Sequence, residues 1–215
     1  MAYMTKEELA KMVKEGAVEL APDGQPFTLF GGRTTKFYVD CRKINLTPSG
    51  LIAVVNALWK EMLPLKFDAF GGPSLGADPI IGGLTYLAGM CGPRGNKMRG
   101  FLVRKEGKEY GKGGRIVGPL VPGSRCVMIE DVVTEGASAL SAIAAVEEFG
   151  AKVVHAFCIV DRLAGASERF AAKGIPFTSL LTIKDLGLGD LHGILVLYSG
   201  YSAGRRHCGF EGPRY

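Results

Sequence analysis

Two carboxylates precede a turn of small residues in the stretch VMIEDVVTEGASAL. Glu130 and Asp131 stand where an apolar run stops, and Thr134, Gly136 and Ser138 follow before a helical pattern begins. Backbone N–H groups at a helix N-terminus bind anions, a glycine lets the backbone approach the ligand, and hydroxyls add donors. The turn therefore predicts a phosphate site. For such a turn taken alone, an ordinary strand-to-helix connection with Thr and Ser capping the helix is the commoner explanation.

The acid pair narrows the choice of ligand. Two acids beside an anion site are electrostatically unfavourable unless they serve another group, and carboxylates accept hydrogen bonds from sugar hydroxyls. Mg²⁺ is usually held by a few protein groups together with ligand phosphates. Glu130 and Asp131 next to a phosphate turn therefore predict a site for a phosphorylated ribose. Mg²⁺ is the second group that these acids could bind.

The elements that must position these residues alternate between strand and helix. Short β-rich apolar runs (DAFGG, GFLVRK, RCVMIE, KVVHAFCIV, FTSLLTI) are separated by helical patterns such as GADPIIGGLTYLAG, ASALSAIAAVEEFG and GASERFAAKG. Parallel strands need crossovers and are covered on both faces, so this order predicts an α/β fold with a central parallel sheet flanked by helices. Ligands bind beyond the carboxyl ends of such strands, and the acid pair and its turn lie at such an end.

The N-terminal part follows a different pattern. Thr5 and Glu8 have the spacing of a capping box and predict a helix over 5–15. FTLF and KFYVDC, joined by GGRTT, predict a β-hairpin, and Thr47-Pro48 begins a helix that Pro64 ends. Residues 191–215 become glycine-rich and basic after one more apolar run, so we expect a C-terminal extension whose last dozen residues are loosely ordered.

Composition limits the class of protein. The 215 residues carry a net charge of +5, which favours anionic ligands but is too mild to imply nucleic acid as a partner. No apolar run reaches the length of a membrane span, and the start lacks a signal-peptide core. The odd number of cysteines without a C-x-x-C pair predicts buried free thiols in a reducing compartment. We expect a cytoplasmic protein with no nucleic-acid or membrane partner. The cysteines are Cys41, Cys91, Cys126, Cys158 and Cys208.

The stretch IEDVVTEGAS resembles the phosphoribosyl diphosphate (PRPP) signature of type I phosphoribosyltransferases, in which two acids and two apolar residues precede a Thr-x-Gly-x-Ser/Thr turn. Four further stretches, FTLFGGRTTKFYVDCRK, FGGPSLGADPI, FLVRKEGKEYG and LLTIKDLGL, and the DR of VDRLAGASE resemble orotate phosphoribosyltransferases in the same order over about 5–190. The resemblance implies a type I phosphoribosyltransferase-like domain over 1–190. The resemblance also implies a small hood subdomain, formed partly by residues 1–46 and by the C-terminal segment. The implied activity joins PRPP and orotate into orotidine 5'-monophosphate and diphosphate, a step of UMP biosynthesis.

The resemblance also implies how the donor PRPP is bound. The loop after FLVRK closes over the diphosphate: Lys108 carries most of the catalytic effect, and Arg104 and Lys105 clamp the diphosphate oxygens. Asp131 completes the implied catalytic set, and Mg²⁺ is held mainly by PRPP, with Glu130 or Asp131 contributing through water. By residue type alone, these cations also fit a solvated loop. The implied PRPP-binding residues are Gly72, Pro73, Ser74, Arg104, Lys105, Lys108, Tyr110, Glu130, Asp131, Val132, Val133, Thr134, Glu135, Gly136, Ala137 and Ser138.

For the acceptor, the DR match implies that Arg162 recognises orotate, together with Tyr38 and Thr134. A planar guanidinium can fork onto the carboxylate that distinguishes orotate from uracil, although a lone arginine also fits a surface or helix-capping role. The resemblance further implies a homodimer in which the mobile loop reaches the neighbour's site.

Some positions depart from the family pattern. Phe30 stands where many relatives have lysine, and Tyr110 where many have histidine. The turn Ser74-Leu75-Gly76 lacks a lysine that some relatives carry. Tyr110 can donate a hydrogen bond but brings no positive charge at neutral pH. Two alternatives therefore stay open: a phosphoribosyltransferase acting on another base, and a non-catalytic PRPP-binding regulator.

Overall fold

The structure is a computed structural model that describes residues 4–23, 25–28, 34–107 and 114–191. The helices are α1 (Lys6–Ala17), α2 (Arg42–Asn45), α3 (Pro48–Met62), α4 (Asp78–Met90), α5 (Gly92–Gly95), α6 (Ala137–Glu148) and α7 (Ala166–Ala172), and a 3₁₀ turn spans Gly189–Leu191. The strands are β1 (Val18–Leu20), β2 (Phe27–Thr28), β3 (Thr34–Thr35), β4 (Phe37–Val39), β5 (Ala69–Pro73), β6 (Arg99–Val103), β7 (Ile116–Val117), β8 (Arg125–Val133), β9 (Lys152–Asp161) and β10 (Phe177–Thr182). The predicted α/β class is confirmed.

Six of these strands form the central sheet in the order β10-β9-β8-β5-β6-β7. All neighbours are parallel except β6 and β7, which are antiparallel. From β5 the chain first adds β6 on one side and later adds β8 on the other, and Gly71 of β5 lies opposite both Phe101 and Met128. The order of strands reverses at β5, so the crevice between the carboxyl ends of β5 and β8 is a topological switch point.

Helices cover both faces of this sheet. Along β8 the side chains alternate between two apolar clusters: Val127 and Ile129 belong to the core shared with α1 to α4, whereas Cys126 and Met128 belong to the core under α6 and α7. Successive side chains of a strand point to opposite faces. A strand that is buried on both faces is apolar at every position, which is why β8 reads as a continuous apolar run before its acids.

The two helices predicted from capping signals are confirmed. In α1 the Glu8 N–H donates to Thr5 Oγ1 at 3.2 Å and the Thr5 N–H donates to Glu8 Oε2 at 2.8 Å, which is the reciprocal pair of a capping box. The Thr47 side chain accepts from the Gly50 N–H at the start of α3, with Pro48 in the first turn, where a missing N–H costs nothing.

The predicted hairpin is only partly correct. Strand β2 pairs with β3, but the following strand β4, which lies in the predicted second arm, pairs with β1 in a separate two-stranded sheet. Phe37 and Val39 are buried while Tyr38 is exposed, so β4 presents its apolar face to the core. The partner strand VEL has three residues and two exposed positions, which is too short a pattern to signal a strand. Residues 29–33, including Phe30, lie outside the described residues.

The N-terminal elements share the main core. Leu9 and Val13 of α1 and Phe37 of β4 are in the same apolar cluster as α3 and α4. The division into a domain and a hood over 1–46 therefore stays a prediction.

The four cysteines of the described residues are free thiols, as expected, but Cys91 is exposed whereas Cys41, Cys126 and Cys158 are buried. The expected loose order of the last dozen residues, together with Cys208, falls outside the described part. Among the residues that the structure describes, no helix is both long and apolar enough to cross a lipid bilayer.

Candidate active site

A cavity of about 640 Å³ opens at the switch point between β5 and β8. It brings together residues from the signature turn, the N-terminal segment, the connection after β5 and the end of β9. The lining residues are Tyr38, Val39, Asp40, Arg42, Leu75, Gly76, Glu130, Asp131, Val132, Val133, Thr134, Glu135, Gly136, Ala137, Ser138 and Arg162. Every signature residue from 130 to 138 faces this one cavity.

The two acids lie inside β8 and not after it, which corrects the sequence-based expectation. The strand continues to Val133 because Val132 and Val133 remain in parallel register with β9. Glu130 points toward α6, where the Ala139 N–H hydrogen-bonds to it, whereas the Asp131 carboxylate lies against Gly76 at the start of the α4 turn. The two acids therefore lie on opposite faces of β8, near its carboxyl end.

Burial changes the protonation of this pair. Burial raises the pKa of Glu130 to about 8; the charge of Asp131 adds to the rise, and the hydrogen bond from Ala139 opposes it. Burial also raises the pKa of Asp131, against the hydrogen bond that the Val132 N–H donates to its Oδ1 at 2.8 Å and the charge of Arg42. Glu130 therefore holds a proton at neutral pH in the ligand-free protein, which relieves the repulsion between adjacent acids.

The turn after β8 presents the N-terminus of α6 to the cavity. Gly136 is the N-cap residue, with φ of 75° in the left-handed region that favours glycine, and it has no side chain to accept hydrogen bonds from the first turn. The commoner explanation, in which Thr134 or Ser138 caps the helix, is wrong because neither occupies the N-cap. The Glu135 carboxylate pairs with Arg169 of α7 at 3.0 Å. The N-terminal amides of this 12-residue helix thus face the cavity, as an anion site requires.

The end of β5 approaches β8 closely. A Cβ on Gly72 would lie 2.0 Å from the Ile129 carbonyl oxygen and 2.5 Å from Ala77 Cβ. Only glycine fits there, because a backbone carbonyl in the middle of the sheet cannot move aside. This contact keeps the two strand ends close enough to share one crevice.

The predicted diphosphate residues 72–74 lie next to the cavity but do not line it. Leu75 and Gly76, which follow a cis peptide bond after Ser74, line it instead. The Ser74 N–H donates to the Val103 carbonyl at 3.0 Å, so this turn is fastened to the end of β6. The loop with the predicted cations therefore starts beside it.

Arg104 and Lys105 begin that loop without lining the cavity. The Arg104 N–H donates to the Arg115 carbonyl at 2.8 Å, and Arg115 Nε donates back to the Arg104 carbonyl at 2.9 Å, which closes the base of the loop. Lys105 is exposed. Lys108 and Tyr110, the further predicted loop residues, lie outside the described residues.

Arg162, which was predicted to recognise the acceptor, lines the same cavity directly after β9. Its side chain is buried (8 % exposed), its guanidinium carbon lies 4.8 Å from the centre of the Phe37 ring, and Nη2 lies 3.3 Å from Thr35 Oγ1. Its backbone N–H donates to the Val133 carbonyl at 2.8 Å, at the end of β8. Tyr38 lines the same cavity from the N-terminal segment. The surrounding contacts exclude the surface role for this arginine.

Two charged residues of the cavity were missed by the sequence analysis. Asp40 and Arg42 form a two-point ion pair, with Arg42 Nε 2.7 Å from Oδ1 and Nη2 2.9 Å from Oδ2 of Asp40. This hydrogen-bonded pair lowers the pKa of Asp40 although burial acts in the opposite direction. A signal was available: in FYVDC the period of two places Asp40 on the same side of the extended segment as Tyr38.

The mostly parallel sheet flanked by helices, with its cavity at the switch point, is the fold of solved phosphoribosyltransferases. Residues 100–176 match the family described as "Phosphoribosyl transferase domain". The orotate phosphoribosyltransferase of Rhodopirellula baltica is 39% identical over 189 residues, covering 84% of this chain and 95% of that protein. That of Aquifex aeolicus is 37% identical over 186 residues, covering 86% and 100%.

A crystal structure of the Mycobacterium tuberculosis orotate phosphoribosyltransferase in complex with PRPP superimposes with a TM-score of 0.68 at 32% identity, covering 85% of this chain and 99% of that one. The chain belongs to the orotate phosphoribosyltransferase family.

Proposed function

We propose that the chain transfers the phosphoribosyl group of PRPP to orotate, which gives orotidine 5'-monophosphate and diphosphate in UMP biosynthesis. The observation that carries this proposal is the single cavity in which the α6 N-terminus, the acids of β8 and buried Arg162 meet. These three features match the phosphate, the ribose and a base that bears a carboxylate.

The 5-phosphate of PRPP binds the turn from Thr134 to Ser138. Its oxygens accept hydrogen bonds from the backbone amides that precede Ala139 at the start of α6, because Gly136 has no side chain to cap them. Val132 and Val133 contribute backbone groups to this phosphate site. The side chain of Glu135 is already paired with Arg169. The ribose hydroxyls bind Glu130 and Asp131, whose carboxyl groups offer oxygens at the mouth of β8.

The diphosphate end of PRPP lies toward the β5 turn and the loop after β6. Residues 72–74 flank it, and Arg104, Lys105 and Lys108, with the Tyr110 hydroxyl, close over it. Cations are required there because negative charge develops on the leaving diphosphate in the transition state. The hydrogen bond from Ser74 to Val103 supports this arrangement, since it keeps the turn and the base of the loop together.

Orotate lies in the cavity with its carboxylate toward Arg162. The packing of this guanidinium on Phe37 and its contact with Thr35 fix the plane of the fork, and a fixed fork recognises a carboxylate better than a flexible ammonium. Tyr38 and the Thr134 hydroxyl complete the acceptor site.

The carboxyl groups of the cavity are suitable ligands for Mg²⁺. Within the described ranges no three His, Cys, Asp or Glu side chains are grouped to hold a metal ion, and the carboxyl oxygens of Glu130 and Asp131 are hard ligands that suit Mg²⁺ through water. The ion would depend mainly on the oxygens of PRPP, where it supplies charge neutralisation of the diphosphate.

The chemistry needs no covalent intermediate with the protein. The bond between ribose C1 and the diphosphate oxygen breaks with oxocarbenium character, and the deprotonated ring nitrogen of orotate attacks C1 from the opposite face. The electron pair of the broken bond leaves with diphosphate. The residues of the cavity position the two substrates, neutralise the leaving group and exclude water.

A panel of bases tests the substrate. The protein is mixed with PRPP and Mg²⁺ and with orotate, uracil, adenine or hypoxanthine in turn, and the absorbance loss of orotate is compared with turnover of the other bases. We expect turnover of orotate. Consumption of another base alone would replace orotate as the substrate, whereas PRPP binding without any turnover would favour the regulatory alternative.

We further propose a cytoplasmic homodimer in which the loop of one subunit closes on its partner's site. The exposed apolar side chains of α3 and α4, namely Ile52, Tyr86 and Met90, are the residues we expect a partner subunit to cover. Mixing inactive Lys108→Ala with inactive Asp131→Ala protein tests the arrangement, because shared sites would regain activity in mixed dimers. Absence of any regain in a verified mixed dimer would place loop and site in one chain.

A further inference from the structure

Gly76 faces the same carboxylate that the proposed function assigns to the ribose. A Cβ built on Gly76 would lie 2.4 Å from Oδ1, 2.7 Å from Cγ and 2.9 Å from Oδ2 of Asp131. Real Cβ atoms do not approach other heavy atoms so closely, so the Asp131 carboxylate occupies the space that any side chain at position 76 would need. Gly76 lies between β5 and α4 and lines the cavity.

The requirement at Gly76 is for space and not for backbone conformation. Its φ is not among the positive values of this chain, in contrast to Gly136 at 75°. Alanine is therefore compatible with the backbone there, and the closest obstacle to its methyl group is the Asp131 carboxylate.

Gly72, four residues earlier, shows what a purely structural glycine looks like. Its missing Cβ would meet the Ile129 carbonyl oxygen at 2.0 Å, which belongs to the backbone of β8. The obstacle at Gly76 is instead the end of a short side chain. A methyl group at position 76 would be accommodated by rotation of Asp131, which breaks the 2.8 Å hydrogen bond from the Val132 N–H and leaves the sheet intact.

We propose that Gly76 is a positioning residue of the ribose site, which by lacking a side chain lets the Asp131 carboxylate keep the orientation that receives the ribose hydroxyls. This inference rests on the proposed function, since it assigns Asp131 to PRPP. It adds a specificity element from the β5 connection to a site otherwise built from β8 and α6.

The test compares Gly76→Ala with Gly82→Ala. Gly82 is exposed in the middle of α4, and a Cβ there would meet nothing within 4 Å, so this variant controls for adding a methyl group near the same helix. PRPP and orotate affinities are measured separately by calorimetry, together with thermal unfolding. We expect Gly76→Ala to weaken PRPP binding about tenfold, the scale of a lost charged hydrogen bond, while its orotate affinity is unchanged and its melting temperature does not fall. Gly82→Ala should keep the wild-type affinity for PRPP, and its melting temperature should rise slightly because alanine is a better helix former than glycine.

A double-mutant cycle with Asp131→Ala separates positioning from general damage. In the Asp131→Ala background the carboxylate is gone, so adding Gly76→Ala should cause no further loss of PRPP affinity. Additive losses, or a Gly76→Ala protein that binds PRPP as the wild type does, would overturn the inference and leave the proposed function standing. A wild-type protein that does not bind PRPP would overturn both.

Discussion

The central sheet has a depression at each end of its strands, and the larger one is not the proposed active site. At the amino ends of β5, β6 and β8 a hollow of about 1010 Å³ exceeds the 640 Å³ cavity at the carboxyl ends. The larger hollow is lined by Phe67, Asp68, Pro93, Arg94, Asn96, Lys97, Met98, Arg99, Val121, Pro122, Gly123 and Ser124. Its cations Arg94 and Lys97 are exposed, whereas Glu130, Asp131 and Arg162 at the other edge are largely buried.

The direction of the helices explains the difference. In a parallel sheet with helical crossovers, helix N-termini meet the carboxyl edge and helix C-termini meet the amino edge. The α6 helix begins directly after Gly136 beside the cavity and ends at Glu148. Just beyond its end, the Gly150 carbonyl accepts from the Gly123 N–H in the larger hollow. One edge therefore offers amides to an anion and the other offers carbonyls. The end of the sheet that suits an anion is therefore indicated by its buried charged side chains and its backbone amides, and not by the size of the hollow.

The sharpest way to break this comparison is to replace Lys108, which the proposed function assigns to the leaving diphosphate. Lys108→Ala should lower kcat by about 10²-fold or more, because a charge that meets the leaving diphosphate acts in the transition state. The dissociation constant of PRPP should change far less. Steady-state kinetics and direct PRPP titration check this, and equal losses in kcat and in PRPP affinity would contradict the catalytic role.

The second prediction concerns the acids inside β8. Asp131→Asn keeps the shape of the side chain but removes its charge, so PRPP affinity should fall about 10- to 100-fold, which corresponds to the loss of about 1.5–3 kcal/mol for a hydrogen bond to a charged group. Calorimetric titration with PRPP measures the change. Unchanged affinity would mean that the ribose does not bind this acid.

The third prediction separates acceptor from donor. Arg162→Lys keeps the charge but loses the planar fork, its contact with Thr35 and its packing on Phe37. The KM for orotate should rise about tenfold while the KM for PRPP stays within a factor of two, because the loss is of one forked, charge-assisted contact. Equal increases in both KM values would indicate a general distortion of the cavity in place of base recognition.

Local sequence patterns were sufficient for much of this site. The capping box of Thr5 and Glu8, the helix that starts at Pro48, and the uncapped turn before α6 each depend on residues within a few positions of one another. The strand–helix alternation likewise predicted the class of fold and the end of the sheet at which the signature residues lie. Short-range patterns of this kind are readable because the interactions that they encode are short-range.

Contacts between distant segments were not predictable in this way. The pairing of β1 with β4 depends on the register of Val18 with Val39, and the position of Asp131 inside β8 depends on the continued pairing with β9. The space at Gly76 exists only because Asp131 comes to it from a different strand. Nothing in the few residues around each position carries that information.

The smallest expected effect is at the amino edge. Replacing both Lys97 and Arg99 by alanine removes two cations from the larger hollow, so kcat/KM for PRPP should change by less than about twofold if the site depends on the carboxyl edge, since charges more than about 10 Å apart are screened at ordinary ionic strength. The matched measurement is the same assay with Asp131→Asn, which alters a single charge at the other edge. A loss for the double variant as large as that for Asp131→Asn would show that the larger hollow takes part in PRPP binding, and the contrast between the two edges would no longer hold.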